Sequence, residues 1–350
     1  MSRRTAARGI LGIGISVVAA YLLIRSVDVG AALEVLRQAN LAIVALMAVA
    51  VFLDVASRAA RWRGLLAPIA HVRYPRVLGY TFVGYLANNV LPARLGELVR
   101  SHALGEGEGI SRTTVLGTVV VERIVDTVIV VGLAALAVVV LRVGGIVSTA
   151  VILGAVFVGI LVVLLGLSVV SHRLPGSDRA TGLIERVPRL LDLARRLREG
   201  LAVVGSPRAV VTAVFFSVVA WTFSISTFVL GGAALGIGIT PMQGALMTSG
   251  VALATIVPSG PGFLGTFELT AVGIATQFGI DRDSAFAMAL LVHAMILLVT
   301  SAGGAISAVR LGVGLSTGSD EDDAPGSAAS TSTSQGRVVA PTPPSAPPDR

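Results

Sequence analysis

The sequence predicts an all-α polytopic membrane protein with about six full spans and two broken helical hairpins related as an inverted repeat. Three observations lead there. Of the 350 residues, 54% are hydrophobic and only 13% charged, against about 25% charged in ordinary soluble domains. Several apolar runs approach or exceed the roughly 18–20 residues that cross a bilayer core, most plainly "TVIVVGLAALAVVVL" (127–141) and "AVILGAVFVGILVVLLGLSVV" (150–170). Two further apolar segments are interrupted by proline, glycine and charge at matching places.

The first span covers about 9–27. Its basic start resembles a secretory signal, but no small-residue cleavage site precedes a polar region, so it is kept as a span. The second covers 41–63, and Asp54 and Arg58 near its inner end, spaced i, i+4, read as a local pair with a snorkelling arginine. A broken segment follows at 76–104, then spans at 112–141 and 148–171. Between Arg173 and Gly205, the residues Leu183, Val187, Leu190, Ala194, Leu197 and Leu201 recur at helical spacing among arginines. They predict an amphipathic helix within 178–204 on the cytoplasmic surface. A span at 208–230, a second broken segment at 241–280 and a last span at 284–310 complete a transmembrane domain over 1–311. Residues 312–350, rich in Ser, Pro, Gly and Thr, cannot bury enough apolar surface to fold and predict a disordered cytoplasmic tail.

All 27 basic residues are arginine, and the net charge is +7. They lie in gaps between apolar runs, which points to anionic lipid headgroups at the cytoplasmic face rather than to nucleic acid. Placing the N-terminus inside puts Arg58, Arg61, Arg63, Arg73, Arg76, Arg94, Arg100, Arg112 and the block Arg173–Arg208 inside, and leaves Arg37, Arg142 and Arg282 outside. The positive-inside rule therefore predicts N-in and C-in in the cytoplasmic (inner) membrane. Cysteine is absent, which excludes disulfides, thiolate metal sites and a cysteine nucleophile. The histidines at 71, 102, 172 and 293 show no metal-ligand spacing, and neither metal nor cofactor is expected. His293 reads as a helix-packing histidine, with a proton relay as the other reading. "DRD" at 281–283 resembles a metal-binding Asp-x-Asp, but helix capping by Asp281 or Asp283 accounts for it.

The two broken segments correspond. Gly84 precedes Pro92 by eight residues and Gly250 precedes Pro258 by eight; Leu95-Gly96 and Leu264-Gly265 follow, then Glu97 and Glu268. Proline interrupts a helix, so each segment predicts a hairpin whose turn, with Asn88, Asn89, Pro92 and Gly96 in one and Pro258, Pro261, Gly262 and Gly265 in the other, must be buried in protein or line a wet cavity. Three spans separate them, so they enter from opposite faces and approach each other near the midplane, as broken helices do in inverted-repeat transporters.

In "RTTVLGTVVVERIVDTVIVVGL", Glu122 lies ten residues past Arg112, about 15 Å into the membrane, with Arg123 and Asp126 beside it. Three charges at that depth cost roughly 2.5–3.5 kcal/mol each if unpaired. Two readings coexist: a structural salt-bridge network with Arg94, Glu97 and Arg100, and a polar cavity that binds a charged headgroup. In the second, Arg94, Glu97, Arg100, Glu122, Arg123, Asp126 and Glu268 are the substrate-binding candidates. Arg94, just past the helix break, is first choice for a phosphate, since arginine offers forked hydrogen bonds. Glu97 and Glu268 would orient arginines or meet a cationic group.

"NNVLPARLGELVR", "VVERIVDTVIVV" and "VPSGPGFLGTFE", in that order, resemble the lysylphosphatidylglycerol synthase transmembrane family, also called flippase-like domain proteins, over nearly the whole chain to about Arg310. The matching positions are Pro92, Arg94, Gly96, Glu97, Arg100, Glu122, Arg123, Asp126, Pro258, Pro261, Gly262, Gly265 and Glu268. The resemblance implies a polytopic inner-membrane protein that moves a lipid between leaflets. The soluble aminoacyl-transferase domain of the fused synthases is not present in this sequence, so lipid handling is implied without naming the lipid. The expected function is a flippase or translocase for a polar-headed, phosphate-bearing lipid. The alternatives are a membrane-embedded glycosyltransferase-type enzyme, an accessory subunit of cell-envelope lipid synthesis, and a scaffold acting through its tail.

Overall fold

The computed structural model describes residues 17–22, 25–91, 95–145, 148–149, 151–154, 156, 207–255 and 259–313. The described residues form helices and connecting turns without a strand. They lie in the first of two compact units, Met1–Leu315 and Ser316–Arg350. The expected amphipathic helix within 178–204 and the tail beyond 313 fall outside the described residues.

The helices are α1 (Val29–Arg37), α2 (Leu41–Leu66), α3 (Tyr74–Val90), α4 (Gly96–Glu108), α5 (Arg112–Leu141), α6 (Pro207–Ala234), α7 (Pro241–Ala254), α8 (Thr266–Ala275) and α9 (Arg282–Leu311). Their ends follow from local chemistry. Asn40 caps α2 by accepting the Ala42 and Ile43 amides, and Thr240 and Gln243 form a reciprocal capping box on α7. Asp281 accepts the Ser284 amide at the start of α9 while Asp283 accepts the amide of Asp28, so both aspartates of "DRD" serve helix ends. Gly109 and Gly312 end α4 and α9 in the left-handed conformation that glycine adopts without strain.

Among the described residues, four helices are long and apolar enough to cross a membrane: α2, α5, Val211–Ala234 of α6, and α9. They coincide with four of the six expected spans. Most of the other two, 9–27 and 148–171, lies outside the described residues. Large apolar side chains stand exposed along these helices, including Val211, Val214, Phe215 and Val218 on α6 and Leu298, Ile306 and Val309 on α9. Contiguous exposed apolar faces of this kind suit contact with lipid tails.

Both interrupted segments are helical hairpins. Helix α3 stops at Leu91, which is extended (φ −93°, ψ 141°) because the residue before Pro92 is forced out of the helical region. Helices α3 and α4 then pack together, as do α7 and α8. The crossing of α3 and α4 is close enough that a Cβ at Gly96 would overlap the Gly84 carbonyl. Residues 92–94 and 256–258, which include the prolines expected at the tips, lie outside the described residues, but their flanks meet. A Cβ at Gly262, in the turn before α8, would lie 3.6 Å from the carbonyl oxygen of Asn89 at the end of α3.

The packing is orderly across the chain. Helix α2 runs against α6, α3 against α9 and α5 against α7; α4 packs on α5, and α8 on α9; α2 packs on α3, and α6 on α7. One apolar cluster gathers Met47, Leu246, Met247, Phe267, Met288 and Val292. Another, around Trp62, Val77, Tyr80, Leu104 and Val115, holds the first hairpin against α2 and α5.

Candidate functional site

A cavity of about 740 Å³ lies between these helices. Its wall carries Asp54 and Arg58 from α2, Tyr85, Asn88 and Asn89 from α3, Glu97 and Arg100 from α4, Glu122, Arg123 and Asp126 from α5, Trp221 and Ser224 from α6, and His293 from α9. Apolar residues complete it, among them Leu98, Ile124, Val128, Val251, Phe263 and Leu297.

The charge comes from helix spacing. Asp54, Arg58 and Arg61, four and three residues apart, share one face of α2; Glu122 and Asp126 share one face of α5. Arg61 is fully buried and bridges the two acids: its Nη2 lies 2.8 Å from Glu122 Oε1 as an ion pair and donates to Asp126 Oδ2 at 3.0 Å, and its Nη1 donates to Asp126 Oδ1 and, at 3.0 Å, to Ser217 Oγ. Arg58 donates to Asp54 at 2.9 Å and to Ser224 at 3.2 Å, and its Nη1 lies 3.6 Å from Asp126. Arg100 Nη2 and Arg123 Nη2 both donate to Glu122 Oε1, at 3.1 and 2.9 Å. Arg123 also stands 3.3 Å from Asp126 and 3.8 Å from Glu97. Two tryptophans close the cluster: the Arg100 guanidinium lies over the Trp62 ring at 4.5 Å and that of Arg58 over Trp221 at 5.0 Å, while Trp221 Nε1 donates to Asp126 at 3.3 Å.

Among the described residues, four arginines (58, 61, 100, 123) thus meet four carboxylates (54, 97, 122, 126), so the cluster is formally neutral. It is not saturated. The Nε groups of Arg100 and Arg123 and Oε2 of Glu122 are buried without a hydrogen-bond partner, an uncommon state for buried polar atoms. The Arg123 side chain, 39% exposed, is the most accessible member of the four arginines.

The sequence candidates separate accordingly. Glu97, Arg100, Glu122, Arg123 and Asp126 come together on the cavity wall. Arg94, Pro92 and Pro258 lie outside the described residues. The turn residues Asn88 and Asn89 have defined work: Asn88 Oδ1 accepts the Gly96 amide at 2.7 Å and so caps α4 across the break, while Asn89 Nδ2 donates to Thr300 and Ser301, both at 2.9 Å, and ties the hairpin to α9. In the second turn, Pro261 opens a single 3₁₀ turn, and Gly262 (φ 63°), Phe263 (φ 58°) and Gly265 (φ 81°) take left-handed backbone. A left-handed phenylalanine is strained, and this one faces the cavity.

Glu268 is buried. Its Oε2 accepts the Gly265 amide at 2.7 Å, and its Oε1 meets His293 Nδ1 at 2.6 Å. The His293 ring stacks on Phe267, with centroids 4.1 Å apart, and Phe267 stacks on Phe228. Glu268 therefore reaches the cavity through His293.

Two expectations for α2 need correction. Arg58 and Arg61 are not topology charges at a membrane surface but members of the buried cluster, because α2 packs its polar face against α5 and α6. The Asp54–Arg58 pair exists, yet Arg58 does not snorkel; it reaches inward to Asp126 and Ser224. Their spacing with Asp54 was the available signal. Ser217, Trp221 and Ser224 on α6 carried no sign in the sequence that distinguished them from other span residues.

The chain is 26% identical over 353 aligned residues to the glycosyltransferase AglD of Haloferax volcanii, an alignment that covers 89% of this chain and 56% of that protein. The chain thus spans little more than half the length of that relative. No solved structure matches. The lysylphosphatidylglycerol synthase TM region matches residues 9–304, and with the match running over most of the chain, this membrane protein belongs to that family.

Proposed function

We propose that the chain is a lipid translocase, and that the cavity receives the polar, phosphate-bearing headgroup of a lipid as it passes between leaflets. The carrying observation is the composition of the cavity wall: Arg58, Arg100 and Arg123 with their acidic partners beside apolar residues, in one space of about 740 Å³. That volume lies in the range of small-molecule sites, roughly 300–1,000 Å³. Neutral pairing lets charges reside among apolar helices, and the 39% exposed side chain of Arg123 leaves part of a guanidinium open to an oxyanion. Arg94, beside the first break, is assigned to the same headgroup.

The helix pairings support an inverted repeat. Exchanging α2–α5 with α6–α9 turns the α3–α9 contact into α7–α5, the α4–α5 contact into α8–α9 and the α2–α3 contact into α6–α7, and leaves the α2–α6 contact as itself. In transporters of this kind, two broken hairpins frame one site that opens alternately. The proposed setting is the cytoplasmic membrane with both termini inside and anionic lipids around the cytoplasmic arginines.

The test uses the full chain in proteoliposomes carrying fluorescent phosphatidylglycerol, with quenching of outer-leaflet dye as the readout. Arg123→Gln and Arg94→Gln are expected to abolish movement at wild-type protein abundance. Wild-type transport in both variants, or losses accounted for by missing protein, would overturn the reading. A second reading follows from the relative's name: the unit serves sugar transfer to or from a lipid carrier. Movement of a prenyl phosphate, with phosphatidylglycerol ignored, would favour it.

A further inference from the structure

Helices α5 and α9 are each 30 residues long. Arg123 and His293 hold the same place in them, each eleven residues after the first (123 − 112 and 293 − 282). Each also faces an acid from the first turn of the preceding hairpin's second helix: Glu97 of α4 for Arg123, and Glu268 of α8 for His293. Both line the cavity. One half of the molecule therefore presents a permanent cation where the other presents a titratable one.

The local geometry fixes what that histidine can do. Glu268 Oε2 accepts the Gly265 amide and its Oε1 lies 2.6 Å from His293 Nδ1; since a carboxylate can only accept, it places the imidazole proton on Nδ1. Stacking on Phe267 holds the ring plane. Among the described residues Nε2 has no hydrogen-bond partner, and it belongs to a residue on the cavity wall. As neutral imidazole, His293 offers the cavity an acceptor; as imidazolium, it offers a donor and a positive charge. The charged and titratable groups sharing that cavity are Asp54 and Arg58 of α2, Tyr85 of α3, Glu97 and Arg100 of α4, and Glu122, Arg123 and Asp126 of α5. Helices α6 and α7 contribute only uncharged side chains to the wall, and Glu34 and Arg37 of α1 are exposed and paired with each other.

We propose that His293, positioned by Glu268, is a second anion subsite of the cavity and that a proton gates it: the imidazolium holds a singly charged phosphodiester, and the neutral ring releases it. This rests on the cavity being the headgroup site. Combined with the permanent charge of Arg123, it makes the two halves unequal, so the pH on the side to which the cavity opens decides whether a headgroup is retained there.

The experiment uses the full-length protein in non-ionic detergent, labelled with ¹⁵N-histidine, with the His293 signal assigned by its loss in His293→Gln. Two probes stay singly anionic over the range, dimethyl phosphate and dihexanoyl phosphatidylglycerol. The expected result is that His293 passes from neutral to imidazolium as pH is lowered and that its midpoint rises when a probe is added. As pH falls, binding should strengthen by at most about tenfold per pH unit, the limiting linkage for one coupled proton, level off once the free ring is charged, and become independent of pH in His293→Gln. Glu268→Gln, which retains a hydrogen-bonding oxygen, should lower the midpoint; a purely structural Glu268 would leave it unmoved. A response to the lipid probe alone assigns the subsite to lipid headgroups, and a response to both assigns it to the phosphodiester group itself. A His293 ring that stays neutral from pH 5 to 8 with both probes, or a His293→Gln variant with wild-type pH dependence, overturns the proposal. Loss of lipid movement with the titration intact would instead defeat only the translocase reading.

Discussion

Replacing Arg61 by methionine isolates the structural half of the charge cluster from its accessible half. Arg61 is wholly buried and supplies three hydrogen bonds, two to Asp126 and one to Ser217, and an ion pair with Glu122. Methionine matches its apolar stem but leaves four carboxylates facing three arginines, a net charge of −1 in a largely buried cluster. Removing one partner of a buried ion pair costs about 3–5 kcal/mol. At about 2 °C per kcal/mol for a chain of this size, that corresponds to a fall of roughly 6–10 °C in apparent Tm. The assay is thermal unfolding of the purified full chain in detergent, with membrane abundance measured in parallel. Adding Asp126→Asn restores neutrality, so the double variant should recover a substantial part of the loss, a non-additivity of the kind a double-mutant cycle measures. Arg123→Gln, at a 39% exposed side chain, should lower Tm far less than Arg61→Met while affecting lipid movement more. An Arg61→Met protein with wild-type Tm and abundance would refute the bridging role.

Gly96→Ala should disrupt the first hairpin, since the added methyl would overlap the Gly84 carbonyl and press on the Asn88 side chain that caps α4; loss of membrane abundance checks this, and a normally abundant variant would contradict the close crossing. Asp281→Ala removes the N-cap of α9 and should cost about 1 kcal/mol. Hydrogen bonds from Ser284 hold the Asp281 carboxyl below its usual range, so its contribution is present above the ordinary carboxylate pKa and fades as pH falls through the lowered one; wild type and variant should differ in Tm at pH 7 and converge in acid. For topology, Ala180→Cys in this cysteine-free chain should be protected from an impermeant reagent in intact cells, and labelling there would reverse the assigned orientation.

Legibility in the sequence tracked how much of each feature was local. Glu122, Arg123 and Asp126 stood out because charge inside an apolar run demands a partner, and the two hairpins were announced by glycine and proline at equal spacing. Arg58 and Arg61 escaped because an arginine near the end of a span looks the same whether it faces headgroups or a buried acid 65 residues away. The difference lies in how α2 packs on α5 and α6, which no periodicity within α2 reveals. The pairing of Glu268 with His293 was hidden for the same reason: each sits singly in its own apolar segment, 25 residues apart. Asn88 and Asn89 were legible as unusual polar residues, but their use, one to cap a helix across the break and one to fasten it to α9, depends on the turn that brings them there.

The cluster also constrains how the protein is made. A chain emerges at about 5–20 residues per second, and Arg61 precedes Asp126 by 65 residues. For roughly 3–13 s, then, α2 has left the ribosome with two arginines and an aspartate on one face before its counter-charges exist. Ser217, a further partner of Arg61, arrives 156 residues after it. Insertion of α2 on its own is taxed for each such charge by at most the roughly 2.5–3.5 kcal/mol that applies at a helix centre, so this helix has reason to linger beside the insertion machinery until α5 is delivered. Completion of the membrane domain is in this sense post-dated: Arg61 of α2 meets its acidic partners only once α5 has been made.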